Sequence, residues 1–199
     1  MILEVKNIEK AFGRKPVLKD INFLLEPGSI TGIVGENGSG KTVLMEIIVG
    51  VKKAQKGKVH INGKLGYCPQ KAMLFSHLTV KEHFDYFSIA YELDKTQSKL
   101  RTEELLDHFN FGKYKQERII NLSGGTQQKL NLSLALLHQP NLLILDEPYN
   151  GFDWETYERF WNYTTTLKNQ GCAILIVTHL LSEKVRLDRI YKLENGILV

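Results

Sequence analysis

The sequence predicts an α/β fold: a core with a mostly parallel sheet, an N-terminal antiparallel β-subdomain and an inserted α-helical subdomain. Three observations predict it. Short apolar, β-branched runs at Ile30–Val34, 142–145 and 173–177 have the composition of buried strands. These runs alternate with helical patterns, which argues for parallel strands with helices on both faces. From 79 to about 109 the apolar residues instead recur at helical spacing and interrupt the strand-rich frame. A chain of 199 residues has room for one such domain. We assign 1–73 and 122–199 to the core with its β-subdomain, and 74–121 to the helical insertion.

Residues 2–12 and 17–25 read as strands joined by a turn at Gly13-Arg14-Lys15-Pro16. Pro27-Gly28 marks a second turn before the strand at 30–34. A helix follows over 43–49 with Gly50 as its C-terminal glycine. Residues 57–63 form a short strand ending in Asn62-Gly63, a common hairpin signal, and 65–70 a second strand closed by Pro69. The helical block is broken at Asp94-Lys95-Thr96-Gln97-Ser98, which divides it into two helices. Thr79 followed by Glu82 makes a capping box. A loop at Asn121-Leu122-Ser123-Gly124-Gly125 opens a helix over 126–137, and Asp153 caps a long helix over 153–168. Residues 189–193 and 196–199 flank another Asn-Gly turn, Asn195-Gly196.

The chemistry centres on Gly35-Glu36-Asn37-Gly38-Ser39-Gly40-Lys41-Thr42, which fits the phosphate-binding loop G-x-x-x-x-G-K-[ST] between a strand and a helix. Loop N–H groups and the helix dipole make an anion site there. Lys41 can reach the β- and γ-phosphates, and the Thr42 hydroxyl can ligate Mg²⁺. Such a site needs a carboxylate from a neighbouring strand end. The run Leu142-Leu143-Ile144-Leu145-Asp146 supplies it, with Glu147 beside it as the natural general base. His179 ends another strand, on the edge where open α/β sheets bind ligands. There it could hydrogen-bond the γ-phosphate or the attacking water. Ser123-Gly124-Gly125 reads either as a second anion nest at a helix N-terminus or as a turn with Ser123 as N-cap. Taken alone, Gln70 is a polar turn residue and Phe12 a core residue.

In these motifs the chain resembles the nucleotide-binding domain of ATP-binding cassette (ABC) transporters, nearly end to end. The residues 35–42 match Walker A, Tyr67-Cys68-Pro69-Gln70 the Q-loop and Leu122-Ser123-Gly124-Gly125-Thr126-Gln127-Gln128 the family signature. Residues 142–148 match Walker B, Asn150-Gly151-Phe152-Asp153 the D-loop and Thr178-His179 the H-loop. Thr126 replaces the usual glutamine, and Asn150 and Phe152 stand where Ser and Leu are commoner. The resemblance implies a P-loop NTPase (RecA-like) core that binds ATP through Phe12, Gly35, Glu36, Asn37, Gly38, Ser39, Gly40, Lys41, Thr42, Val43 and Gln70. It implies Mg²⁺ on Thr42, Gln70 and Asp146, and catalysis by Glu147 and His179. It also implies a head-to-tail dimer in which Ser123, Gly124, Gly125 and Asp153 of one copy reach the nucleotide of the other. The helical block would face a separate integral membrane subunit.

The bulk numbers agree. A formal charge of +4 without a clustered basic stripe gives no nucleic-acid footprint. Cys68 and Cys172 lie far apart, outside any C-x-x-C, and suit a reducing cytosol. No apolar run reaches the ~18–20 residues of a membrane span, and no secretory signal is visible. The expected place is therefore the cytoplasmic face of the membrane, reached through the transporter subunit. The expected function is an ATPase that powers transport, leaning to export because no regulatory domain follows the Asn195-Gly196 turn. A soluble ABC ATPase of translation or DNA repair is the alternative; it would bring a second cassette, a long coiled coil or zinc-site cysteines.

Overall fold

The structure is a computed structural model and describes residues 1–178 and 185–199. Strands β1 (Leu3–Phe12), β2 (Lys15–Leu25) and β4 (Lys56–Ile61) form an antiparallel sheet in the order β2-β1-β4. A six-stranded sheet holds β3 (Ile30–Val34), β5 (Leu65–Cys68), β6 (Leu142–Asp146), β7 (Ala173–Thr178), β8 (Arg189–Glu194) and β9 (Ile197–Leu198), in the order β5-β6-β7-β3-β8-β9. All its neighbours run parallel except β8 and β9. The helices are α1 (Lys41–Ile48), α2 (Val80–Ala90), α3 (Lys95–His108), α4 (Gly124–Leu136) and α5 (Trp154–Asn169).

The central strands β3, β6 and β7 are buried at every residue, as expected of parallel strands covered on both faces. Their side chains alternate between two cores. Leu142, Ile144, Leu175 and Val177 pack with α1 and the antiparallel sheet. Leu143, Leu145, Ile174 and Ile176 pack with α2, α3, α4 and α5, where Phe84, Phe109, Leu130, Phe160 and Trp161 fill the space. Burying such side chains is worth roughly 1.5–3 kcal/mol each, so the sheet is held from both sides.

Local signals placed most helix starts. The Thr79 hydroxyl accepts from Glu82 N at 3.1 Å while the Glu82 carboxylate accepts from Thr79 N at 2.7 Å, completing the capping box. Asp153 accepts from Thr156 N at 2.7 Å and caps α5. Three expectations need adjustment. The turn after β1 is confined to Gly13 and Arg14, because Pro16 pairs opposite Ala11 within edge strand β2, where a missing N–H is tolerated. The block does divide into two helices near 94, but only Asp94 of the run 94–98 lies between them: it accepts from Thr96 N and Gln97 N, so Lys95 to Ser98 are the first turn of α3. Asn62-Gly63 does not close a hairpin, because β4 pairs with β1 while β5 pairs with β6. Asn141 overrides the turn: its side chain accepts from Lys64 N at 2.9 Å and its own N–H donates to Lys64 O at 2.8 Å, drawing β5 onto β6.

Helix α4 buries polar residues as well as apolar ones. Asn131 donates to Pro69 O at 2.9 Å and to Cys68 Sγ at 3.2 Å, and Gln128 donates to Pro148 O at 3.2 Å. These amides fasten the segments that follow β5 and β6 to one helix. Replacing Asn131 by Ala leaves buried acceptors unpaired. It should lower unfolding stability by about 1–3 kcal/mol, read as an earlier urea midpoint at an unchanged slope.

Candidate functional site

The loop between β3 and α1 builds the site from backbone. Gly40, at φ 105°, sits in the left-handed region and turns the chain into α1 as its N-terminal flanking residue. A Cβ there would lie 2.9 Å from Val17 Cγ1, so the close packing of the β1–β2 hairpin also requires glycine. The first N–H groups of α1 therefore open into a cleft of about 470 Å³, lined by Phe12, Val17, Asn37, Gly38, Gly40, Lys41, Thr42, Val43, Gln70, Asp146 and Glu147. Phe12 ends β1 and is 49% exposed, with Lys10 Nζ 5.6 Å from its ring centre. An exposed ring at the mouth of an anion site can stack on a planar base.

Charges meet on the cleft floor. Lys41 is buried, and its ammonium donates to Gly35 O at 2.7 Å and Glu36 O at 2.9 Å. Burial pulls its pKa below the ordinary lysine value, opposed by the charges of Glu147 and Asp146. Asp146 ends β6, and burial pushes its pKa up to about 6 against a hydrogen bond from Thr42. Its Oδ2 is buried without a hydrogen-bond partner, as is Ser39 Oγ in the loop. Two orphaned oxygens in a phosphate cradle suit a metal ion and phosphate oxygens.

Glu147 is buried, with φ 47°, an uncommon conformation for a non-glycine residue. Its N–H donates to Val177 O at 2.9 Å. Its Oε2 accepts from Gln70 Nε2 at 3.1 Å and from Asn150 Nδ2 at 2.9 Å. The structure thus brings Phe12, Gly38, Lys41, Thr42, Val43, Gln70, Asp146 and Glu147 together, and Gly35, Glu36, Asn37 and Ser39 complete the same loop.

Ser123, Gly124, Gly125 and Asp153 do not line this cleft. The Ser123 hydroxyl accepts from Thr126 N at 3.3 Å, so it is the N-cap of α4. Ser123 and Gly124 are exposed, and a Cβ on Gly124 would meet nothing within 4 Å. His179 lies outside the described residues. Sequence reasoning missed Val17 in the cleft wall and passed over Asn150 as a neutral departure; its one local signal was its place three residues after Glu147.

Residues 18–150 match the family model described as ABC transporter. An uncharacterized ABC transporter ATP-binding protein of Methanocaldococcus jannaschii is 33% identical over 98% of this chain and 74% of its own length. The linearmycin resistance ATP-binding protein LnrL of Bacillus subtilis is 29% identical over 100% of this chain and 68% of its own. ABC transporter G family member 20 of Dictyostelium discoideum is 31% identical over 98% of this chain, which spans only 28% of that protein. A solved ATP-binding subunit of an ABC transporter superposes with TM-score 0.95 at 28% identity, covering 100% of this chain and 88% of that one. A dimeric bacterial ABC transporter cassette matches in fold with TM-score 0.89 at 23% identity, over 99% of this chain and 96% of that one. No helix among the described residues is long and apolar enough to cross a membrane.

The raised pKa of Asp146 fixes a pH dependence for the ligand-free protein. Its folded pKa, about 6, exceeds the ordinary 3.8. The folded state therefore holds a proton that the unfolded state releases, and stability falls as pH rises between those values. Asp146→Asn should make the protein, free of nucleotide and Mg²⁺, more resistant to urea than wild type at pH 8. The advantage should shrink to a small remainder at pH 4, close to the unfolded value of 3.8, checked by denaturation at both pH values.

Proposed function

The chain belongs to the ABC transporter family, and from that premise we propose that it hydrolyses ATP as the motor subunit of a transporter. ATP enters the cleft with its adenine on Phe12 and its phosphates on the N–H groups of residues 35–43. Lys41 leaves the Gly35 and Glu36 carbonyls for the β- and γ-phosphate oxygens. Mg²⁺ would be held by Thr42 and Asp146, with Gln70 beside it, and would neutralise charge on those oxygens. Glu147 takes a proton from the water that attacks the γ-phosphorus in line, and ADP leaves as the bond to its β-phosphate oxygen breaks. His179 is assigned the hydrogen bond to the γ-phosphate.

The observation that carries this reading is the split between the two glycine-rich helix starts. One opens into a cleft with Lys41, Asp146 and Glu147, while the other, at Ser123 and Gly124, faces open space. A second cassette, identical or related, would fill that space head to tail. Its nucleotide would then meet Ser123, Gly124, Gly125 and Asp153 of this chain. Residues 74–121 form the subdomain that meets a separate membrane subunit, where Phe75, Tyr86 and Ile89 offer exposed apolar surface. Such a subunit places the chain on the cytoplasmic face of the membrane. A relative in Rhizobium meliloti named as a Nod factor export ATP-binding protein, 30% identical over 98% of this chain and 62% of its own length, supports export as the direction.

Glu147→Gln keeps the size of the side chain and removes the base. It should bind ATP, form a dimer in its presence and lose about 100-fold or more of turnover. Light scattering and phosphate release check both arms, and unchanged turnover would overturn the role of Glu147.

A further inference from the structure

Glu147 is gripped by two amides from different segments. Gln70 Nε2 and Asn150 Nδ2 both donate to Oε2, at 3.1 Å and 2.9 Å. Both segments are tied to helix α4. The Gln70 side is held by Asn131 on Pro69 O, and the Asn150 side by Gln128 on Pro148 O. A second tie exists on the Asn150 side: a Cβ on Gly125 would sit 2.4 Å from Gly151 O, so the start of α4 lies directly against the residue after Asn150. The backbone of Asn150 is fixed too, its N–H pointing back to Glu147 O at 3.4 Å.

We propose that Asn150 is a positioning residue for hydrolysis, which sets the direction of the Glu147 carboxylate and links it to the helix that opens at Ser123. The inference rests on the reading of Glu147 as the base. A carboxylate that must abstract a proton in line needs its oxygens aimed to within a few tenths of an ångström, and misplacement by about 1 Å can cost on the order of 100-fold in rate. A buried glutamate on a strained backbone has several side-chain torsions still to fix. Two N–H donors converging on one oxygen fix them and leave the other oxygen's orientation determined. Gln70 is also a candidate for the metal and nucleotide. Once those ligands recruit it, Asn150 keeps the hold on Oε2. Because Gly151 abuts Gly125, a shift of α4 against a neighbouring cassette moves the Asn150 amide, and the base moves with it.

Asn150 is exposed, so its replacement opens no cavity. Asn150→Ala should lower kcat by about 10- to 100-fold, with KM and the affinity for ATP changed by less than about two-fold. Asn150→Asp, equal in size but presenting an acceptor to the carboxylate, should lose more than the Ala variant. In a Glu147→Gln background, Asn150→Ala should leave the residual rate within about two-fold, because a residue that acts only through Glu147 has nothing left to position. Full activity of both single variants would overturn the proposal while leaving Glu147 as the base. Equal losses in the presence and absence of Glu147, or a loss confined to KM, would also overturn it. Unchanged turnover of Glu147→Gln alone would instead remove the reading on which it rests.

Discussion

The parallel register of β6, β7 and β3 is the constraint on which the site depends. Leu145 lies beside Ile176, and Ile33 beside Val177, so the carboxyl ends of all three strands open on one edge. Chain direction alone then puts the loop at 35–42 and the pair Asp146-Glu147 within reach of one another. Burial of every residue in these strands, between two separate cores, prevents a register slip that would turn apolar side chains away from their helices. The edge that carries the candidate site inherits its precision from the apolar packing of these strands.

On that edge the ligand-free protein carries charges it cannot fully pair. Lys41 donates to the backbone carbonyls of Gly35 and Glu36, and Asp146 keeps one buried oxygen without a partner. Burial opposes ionisation of both groups. On the proposed reading, a nucleotide with its cation would bring opposite charges to both groups, and binding would relieve a cost present in the fold. Glu147, strained at φ 47° and held by two amides, shows the same economy: its conformation is imposed by neighbours.

Much of this was legible in the sequence, and the reasons differ by residue. The spacing from Gly35 to Thr42 encodes its own geometry, because a strand, a glycine turn and a helix start fix an anion cradle locally. Thr79 with Glu82 and Asp153 with Thr156 are likewise decided within one turn. The strand ends at Asp146 and Thr178 follow from uninterrupted apolar runs. What escaped depends on contacts between distant residues. Asn62-Gly63 carries hairpin chemistry, yet Asn141 pulls the next strand to the other sheet. Gln128 and Asn131 look like the solvent side of a helix, but both are buried as braces. Asn150 shows locally only its place three residues after Glu147, and its contact is set by how the loop after β6 folds back.

On the proposed function one chain holds half of each hydrolytic site, with the helix start at Ser123 serving a nucleotide bound to the neighbouring copy. The most direct measurement mixes two inactive variants. Lys41→Ala lacks a working phosphate loop but keeps Ser123, and Ser123→Arg blocks the signature but keeps Lys41. Each alone should be inactive. Mixed in equal amounts, half of the dimers hold one intact composite site, and ATP turnover should recover to about a quarter of wild type. A mixture no more active than its separate components, under conditions where the chains are shown to exchange, would contradict the shared site.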